Sequence, residues 1–343
     1  MNEKLTLFIP TQDRSAFVGR LLSYYQGLRF PGRILIADSS QKPEAVLNQQ
    51  TVQRLETALG IEYLHDPGFQ LEEAFRWAAR RVATPYVVYQ GDDDLFIPRG
   101  LETCVRFLEE NPQYHAANGS AVVFKTDWGG PFGEITFTGR YQALQGAQAP
   151  TARERFLHLL AFPSVMTFCI HRTESWRTIW GSSTASQDVP YTTELLPSFL
   201  CAVQGKVKRL DCLYLMRQAH PNRVRHTRVF DWLRQERFSE GLVELLARTD
   251  GISMIQARQV VQKGFSSLEE KTRSEGVFRR ISRAAPPWPR TRHAWRWVRS
   301  YFPGAHNEFL LPALTRSSSR FHADFLPVHQ IVTGGSLLNG HNP

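Results

Sequence analysis

The sequence predicts an α/β fold: a mainly parallel sheet flanked by helices, followed by a mostly helical, basic C-terminal extension. Three observations lead there. In the first third of the chain, short apolar runs alternate with stretches of helical spacing. Each apolar run ends on a cluster of turn-forming polar residues. Basic residues concentrate in one late segment, where ten Lys and Arg within 262–305 face three acids, a net +7 of the chain's +9.

The elements follow in order. Leu5–Ile9 is a short apolar run stopped by Pro10, and residues 15–28 place Phe17, Val18, Leu21, Leu22 and Tyr25 on one helical face. Arg33–Ala37 is a second strand, ended by Asp38-Ser39-Ser40 and followed by a helix over 44–59. Ile61–Leu64 is a third strand, closed by Asp66-Pro67-Gly68; a helix carrying Leu71, Ala74, Phe75, Ala78 and Val82 comes next. Tyr86–Tyr89 is a fourth strand, and Pro98 opens a helix that Asn111-Pro112 ends. Strand–helix alternation of this kind implies right-handed crossovers, and ligands of such sheets sit beyond the carboxyl ends of the strands. Beyond residue 115, 121–124 and 165–170 read as strands around a Gly-rich loop region at 128–150, with helices near 151–161, 193–204 and 230–248. The implied division is 1–115, 116–228 and 229–343.

At 343 residues and 42% hydrophobic content the chain can bury a large core, and it contains no apolar run long enough to span a bilayer. Met1–Lys4 leads straight into a strand without a secretory apolar region, so the expectation is a soluble, cytoplasmic protein, at most peripheral on the inner membrane face. Cys104, Cys169, Cys201 and Cys212 form no CxxC pair and read as small buried hydrophobes, not zinc ligands.

The chemistry concentrates at Asp92, Asp93 and Asp94, after the fourth strand. Adjacent carboxylates repel, so gathering them favours a cation. In an extended segment Asp92 and Asp94 point to the same side and suit Mg2+ or Mn2+. Such an ion also neutralises a diphosphate leaving group. A solvated acidic turn is the plain alternative, but Leu95-Phe96-Ile97-Pro98 follows at once and is not a solvated loop.

The segment Tyr86–Pro98, YVVYQGDDDLFIP, resembles the metal-binding strand end of family 2 glycosyltransferases, whose fold is the Rossmann-like GT-A fold. Phe8–Arg14 is similar to that family's opening strand and nucleotide-binding turn, and Asp38 to the acid after its second strand. The likeness covers residues 4–218 and is tightest up to about residue 110. It implies transfer of a sugar from a nucleotide-diphosphate donor to an acceptor hydroxyl, with inversion, in glycan or polysaccharide biosynthesis. By that resemblance Pro10, Thr11, Asp13, Arg14, Asp38, Asp66, Asp92 and Asp93 bind the nucleotide sugar. Asp92 and Asp94, with His220, bind the metal. The family often has Asp where Gly91 stands, so the acids begin one place later here and the ligating pair stays open. Glu194, at the start of a helical run closed by Gly205, matches the family's general base, with Asp188 in reserve. His65, His220 and His226 lie near further strand ends, the last two among Arg217, Arg223, Arg225 and Arg228.

Residues 279–302 interleave Arg with Trp, Tyr and Phe. That pattern suits an anionic membrane surface ahead of nucleic acid, or a packed helical appendage. Lipid-linked or carbohydrate acceptors fit the family. Two competing functions remain. A sugar nucleotidyltransferase needs a Gly-rich first turn, which Thr11–Arg14 lacks. A degenerate domain that binds nucleotide or recruits partners differs from an enzyme by hydrolysing no nucleotide sugar.

Overall fold

The computed structural model describes residues 4–162, 164–181, 195–219, 236–284 and 307–334. Its centre is a nine-stranded sheet in the order β3-β2-β1-β4-β8-β6-β9-β5, with β7 paired to β6. The first four strands are β1 (Leu5–Thr11), β2 (Arg33–Asp38), β3 (Gly60–His65) and β4 (Tyr86–Tyr89), all parallel. Then come β5 (Leu95–Phe96), β6 (Tyr114–Thr126), β7 (Ile135–Tyr141), β8 (Ile170–Arg172) and β9 (Lys206–Gln218). β8 is antiparallel to both β4 and β6, which returns β6 to the direction of β1; β9 runs parallel to β6. Only β5, β7 and β8 run the other way. The sheet is mainly parallel, as expected.

The crossovers explain the layers. α1 (Ser15–Gly27) and α2 (Glu44–Leu55) link strands that step one way along the sheet, so right-handedness puts both on one face. α3 (Leu71–Arg81) steps back past β1 and lies on the other. α1 packs on α2 and on the C-terminal helix His322–Val332. α3 packs on α6 (Thr173–Gly181) through Phe75, whose ring stacks on Trp180 with centroids 3.9 Å apart. α4 (Pro98–Glu110) lies against β6 and β9. Behind α6 come α7 (Leu195–Gln204), α5 (Ala152–Ala161), α8 (Glu236–Asp250) and α9 (Met254–Ala284), each packed on the next or its neighbour. Alternate residues of β1 feed both layers, and Leu7, Phe8 and Ile9 are all fully buried.

Three expectations change. Residues 165–170 are not one strand: Met166–Phe168 is a short 3-10 turn, and only Ile170–Arg172 reaches the sheet. The turn is held by Ser198 Oγ, which accepts from Met166 N, and by the Met166 carbonyl against His171 Nε2. The Gly-rich region 128–150 contains β7, because Ile135-Thr136-Phe137-Thr138 pairs with β6 despite its glycine neighbours. The two-residue β5 was too short to register as a period. The described part of the C-terminal segment packs against the sheet domain: Arg320 forms a two-pronged ion pair with Asp211, and Thr138 donates to the Phe309 carbonyl. Among the described residues, no helix is long and apolar enough to cross a membrane.

Candidate functional site

Thr11, Asp38, His65, Tyr89, Thr126 and Gln218 end the strands that run in the common direction, so one edge of the sheet gathers the segments that follow them. The acids after β4 do not continue the strand. Asp94 N donates to the Gly91 carbonyl at 3.2 Å, making a tight turn. That turn separates the side chains. Asp92 faces β1, where its two oxygens accept from Thr11 Oγ1 and Arg14 Nη1, each at 2.7 Å. Asp94 faces β9, accepting from Gln218 N at 3.1 Å and standing 3.4 Å from Arg217 Nε. Arg14 also reaches Asp93 at 3.2 Å.

The expectation that Asp92 and Asp94 share one side rested on an extended backbone, and the turn removes that premise. The side-chain oxygens nearest Gly91 are Asp93 Oδ1 and Asp94 Oδ2. A Cβ built on Gly91 would lie 2.9 Å from the first and 3.3 Å from the second. A side chain at 91 would crowd these two hard carboxylate oxygens, a donor type that suits Mg2+ or Mn2+. Among the described residues, no three His, Cys, Asp or Glu side chains gather into a metal-holding group.

A buried arginine fastens this turn. Arg20, on α1, is 1% exposed. It donates to the Asp93 carbonyl (2.7 Å), the Pro131 carbonyl (2.7 Å) and Gln218 Oε1 (2.6 Å). Gln218 Nε2 in turn donates to the Gly130 carbonyl at 2.7 Å and to Thr126 Oγ1 at 3.2 Å. Gln90 Nε2 holds the Asp94 carbonyl at 3.0 Å, and Tyr25 holds Gln90 at 2.7 Å. The Arg14 and Arg20 guanidiniums both lie over the Phe17 ring, 5.2 and 5.3 Å from its centre.

Three arginines thus balance three aspartates at low exposure. Burial and the neighbouring Asp93 charge push the Asp92 carboxyl up to about 6, against the pull of Arg14 and Thr11. Burial brings Arg20 down to about 10, opposed by the three acids. Burial also lowers Arg14, but Asp92 and Asp93 more than offset it and its net shift is upward.

The Asp38 carboxylate is wholly buried and accepts from Ser40 N (2.8 Å), Asn48 Nδ2 (2.9 Å) and Tyr63 OH (2.7 Å). It shapes the turn after β2, whose Ser40 Oγ accepts from Asp13 N at 2.8 Å. Asp13 adopts φ 53°, and its Oδ1 accepts from Gln41 N, so the turns after β1 and β2 are laced together next to Pro10 and Thr11. His65 Nε2 meets the Ser40 carbonyl at 2.9 Å, and Asp66 closes its own turn by accepting from Gly68 N. The structure therefore assembles Thr11, Asp13, Arg14 and Asp92–Asp94 and keeps Asp38 buried beside Thr11, with Asp66 after the neighbouring strand end. Glu194, Asp188, His220 and His226 lie outside the described residues, as do residues 285–306 of the basic segment. Sequence reasoning missed Arg20, Gln90 and Gln218, and it took Arg217 only as one basic residue among several.

No protein-family model matches the sequence, and no curated protein does. Solved structures do. Residues 1–349 of Staphylococcus aureus TarS, in complex with UDP-GlcNAc, superpose with a TM-score of 0.50 at 14% identity, over 76% of this chain and 71% of that one. Another TarS structure aligns at a TM-score of 0.46 and 15% identity, over 76% of this chain, which spans 42% of that protein's length. The mannosyltransferase PcManGT of Pyrobaculum calidifontis, in complex with GDP-Man and Mn2+, aligns at 0.42 and 11% over 95% of this chain and 86% of that one. The likeness to TarS shows the fold: the chain shares its mixed α/β architecture of the GT-A type.

Proposed function

We propose that this chain is a glycosyltransferase that moves a sugar from a nucleotide-diphosphate donor to an acceptor hydroxyl with inversion. The observation that carries the reading is the braced acid turn at the carboxyl edge of a GT-A sheet. Asp93 and Asp94 each place a carboxylate oxygen beside Gly91, and Arg14, Arg20 and Arg217 bond to the turn. TarS, bound to UDP-GlcNAc on the same fold, supports it.

The roles follow from position. The interlaced turns Pro10–Arg14 and Asp38–Ser40 cradle the nucleoside, with Thr11 bracing Asp92 and Asp38 setting the backbone of the second turn. Asp66 borders the ribose side. Asp94, with Asp92 or Asp93 beside it, would hold Mg2+ or Mn2+, and the bound ion would neutralise charge on the departing diphosphate. Asp92 orients Arg14, and Arg217 keeps a second guanidinium beside the acids, so positive charge stays close to the phosphates. Glu194, immediately ahead of α7, takes the proton of the acceptor hydroxyl, with Asp188 as the reserve. The acceptor oxygen bonds to the anomeric carbon as the bond to the phosphate oxygen breaks, and the nucleoside diphosphate leaves with the electron pair. One displacement inverts the anomeric centre. His220 completes the phosphate or metal side, and the 262–305 segment attaches the enzyme to an anionic membrane surface, an attachment that rising salt would weaken.

The test is release of nucleoside diphosphate from UDP-GlcNAc, UDP-glucose and GDP-mannose with Mn2+ or Mg2+. Slow hydrolysis of one donor is expected even without acceptor. No release from any nucleotide sugar, alongside tight nucleotide binding, would favour a non-catalytic nucleotide-binding domain.

A further inference from the structure

Trp128 is 85% exposed, the most exposed of the large hydrophobic side chains among the described residues. It sits in the loop Asp127–Glu134, DWGGPFGE, between β6 and β7. The backbone of that loop is fixed. The Gly130 carbonyl accepts from Gln218 and the Pro131 carbonyl from Arg20. Gly133 N donates to the Val332 carbonyl, and Asp127 N to the Glu134 carbonyl. Gly129 takes φ 67° and Gly133 φ 142°, conformations that favour glycine, so the tight path needs these residue types. A loop tied at both ends that still presents its indole to water leaves a large apolar surface unsatisfied by the fold.

Its place gives that surface a use. β6 runs parallel to β9 and in the direction of β1 and β4, so the loop leaves the sheet at the same edge as the acid turn. One guanidinium, that of Arg20, holds the Asp93 and Pro131 carbonyls together, which fixes the loop against the turn. Phe132, 46% exposed, adds a second ring to the same loop. The charged residues of 127–134 are Asp127 and Glu134, both acidic, and the segment has no Lys or Arg. An anionic lipid surface attracts basic residues and is repelled by such a loop. A pyranose ring is complementary to it. Its C–H face packs on a flat aromatic ring, and its edge hydroxyls donate to carboxylates.

We propose that Trp128, supported by Phe132, is the platform on which the acceptor stacks, and that the acceptor is therefore recognised by its sugar ring, not by a lipid chain. This rests on the transferase reading of the acid turn.

The full chain is labelled with 5-fluorotryptophan, and the Trp128 fluorine resonance is assigned by its loss in Trp128→Phe. UDP or GDP with Mn2+, then cellobiose, lactose, N-acetylchitobiose and mannobiose, are added separately, as are vesicles of neutral and anionic lipid. At least one disaccharide is expected to move the Trp128 resonance. Trp128→Ala should raise that disaccharide's Kd at least about tenfold, which corresponds to about 1.4 kcal/mol, with the nucleotide Kd shifting far less. Trp128→Phe should restore most of the affinity. If a nucleotide binds and no disaccharide moves the resonance, the platform is wrong while the transferase reading stands. A response to vesicles in place of sugars also overturns the proposal. If no nucleotide binds, the transferase reading fails and the platform with it.

Discussion

Arg20→Met removes the guanidinium and keeps a long apolar side chain, so it isolates the polar role of Arg20. Three acceptors lose their donor: buried Gln218 Oε1, now at 2.6 Å, and the part-buried Asp93 and Pro131 carbonyls, each at 2.7 Å. Each unsatisfied buried acceptor costs about 1–3 kcal/mol. Against this, the substitution relieves the desolvation of a cation that is 1% exposed, the same burial that lowers its pKa to about 10. The net expectation is a loss of about 2–4 kcal/mol, since hydrogen bonds to a charged group contribute about 1.5–3 kcal/mol each and the relieved desolvation offsets part of the sum. Arg20→Lys keeps a charge but cannot fork to three acceptors, so it should recover less than half of the loss. Urea unfolding by tryptophan fluorescence measures the stability. Because Arg20 ties residue 93 to residue 131, nucleotide affinity should fall as well, and protease cleavage within 127–134 should quicken. A loss below about 1 kcal/mol with unchanged nucleotide affinity would refute the claim that this guanidinium organises the site.

Three more outcomes are expected. Gly91→Ala places a methyl 2.9 Å from Asp93 Oδ1 and 3.3 Å from Asp94 Oδ2. Metal-dependent nucleotide binding should weaken about tenfold, or about 1.4 kcal/mol, by titration calorimetry, with little change in unfolding midpoint. Glu194→Gln should leave donor binding intact and cut turnover by roughly 100-fold or more; normal turnover here with loss in Asp188→Asn would transfer the base role. Burial lowers the His171 imidazole from 6.5 to about 4, so the unfolded chain takes up a proton that the folded chain refuses. Stability should therefore decline as pH falls from about 6.5 to about 4, by up to about 3 kcal/mol from this residue. The stability difference between wild type and His171→Gln should shrink over that window; a constant difference would contradict the assignment.

The strand–helix alternation up to residue 110 carried the fold because each element there has its own period and its own turn residues. The same strand ends carried Thr11, Arg14 and Asp92–Asp94, since topology alone brings them to one edge. Other features depended on contacts that no local pattern contains. Arg20 sits one residue before Leu21 on an amphipathic helix, and a charge there reads as solvent-facing. Its partners at 131 and 218 lie 111 and 198 residues away. Asp38 was legible as a strand-end acid, but its three donors come from a turn, a helix and a neighbouring strand, so its burial was not. The turn at 91–94 sends Asp92 toward β1 and Asp94 toward β9. It is fixed by the Arg20 and Gln90 anchors, not by the acidic run itself.

The most direct test of the central claim is thermal stabilisation of the full chain by UDP and GDP, with Mn2+ and with EDTA, in wild type and Asp94→Asn. At 100 times its Kd a true nucleotide adds about 2.7 kcal/mol. The account predicts that at least one nucleotide does so with Mn2+, that EDTA removes most of the effect, and that Asp94→Asn abolishes it. Equal stabilisation in EDTA and in the variant would contradict the metal role of the acid turn, and no stabilisation by either nucleotide would contradict the site itself.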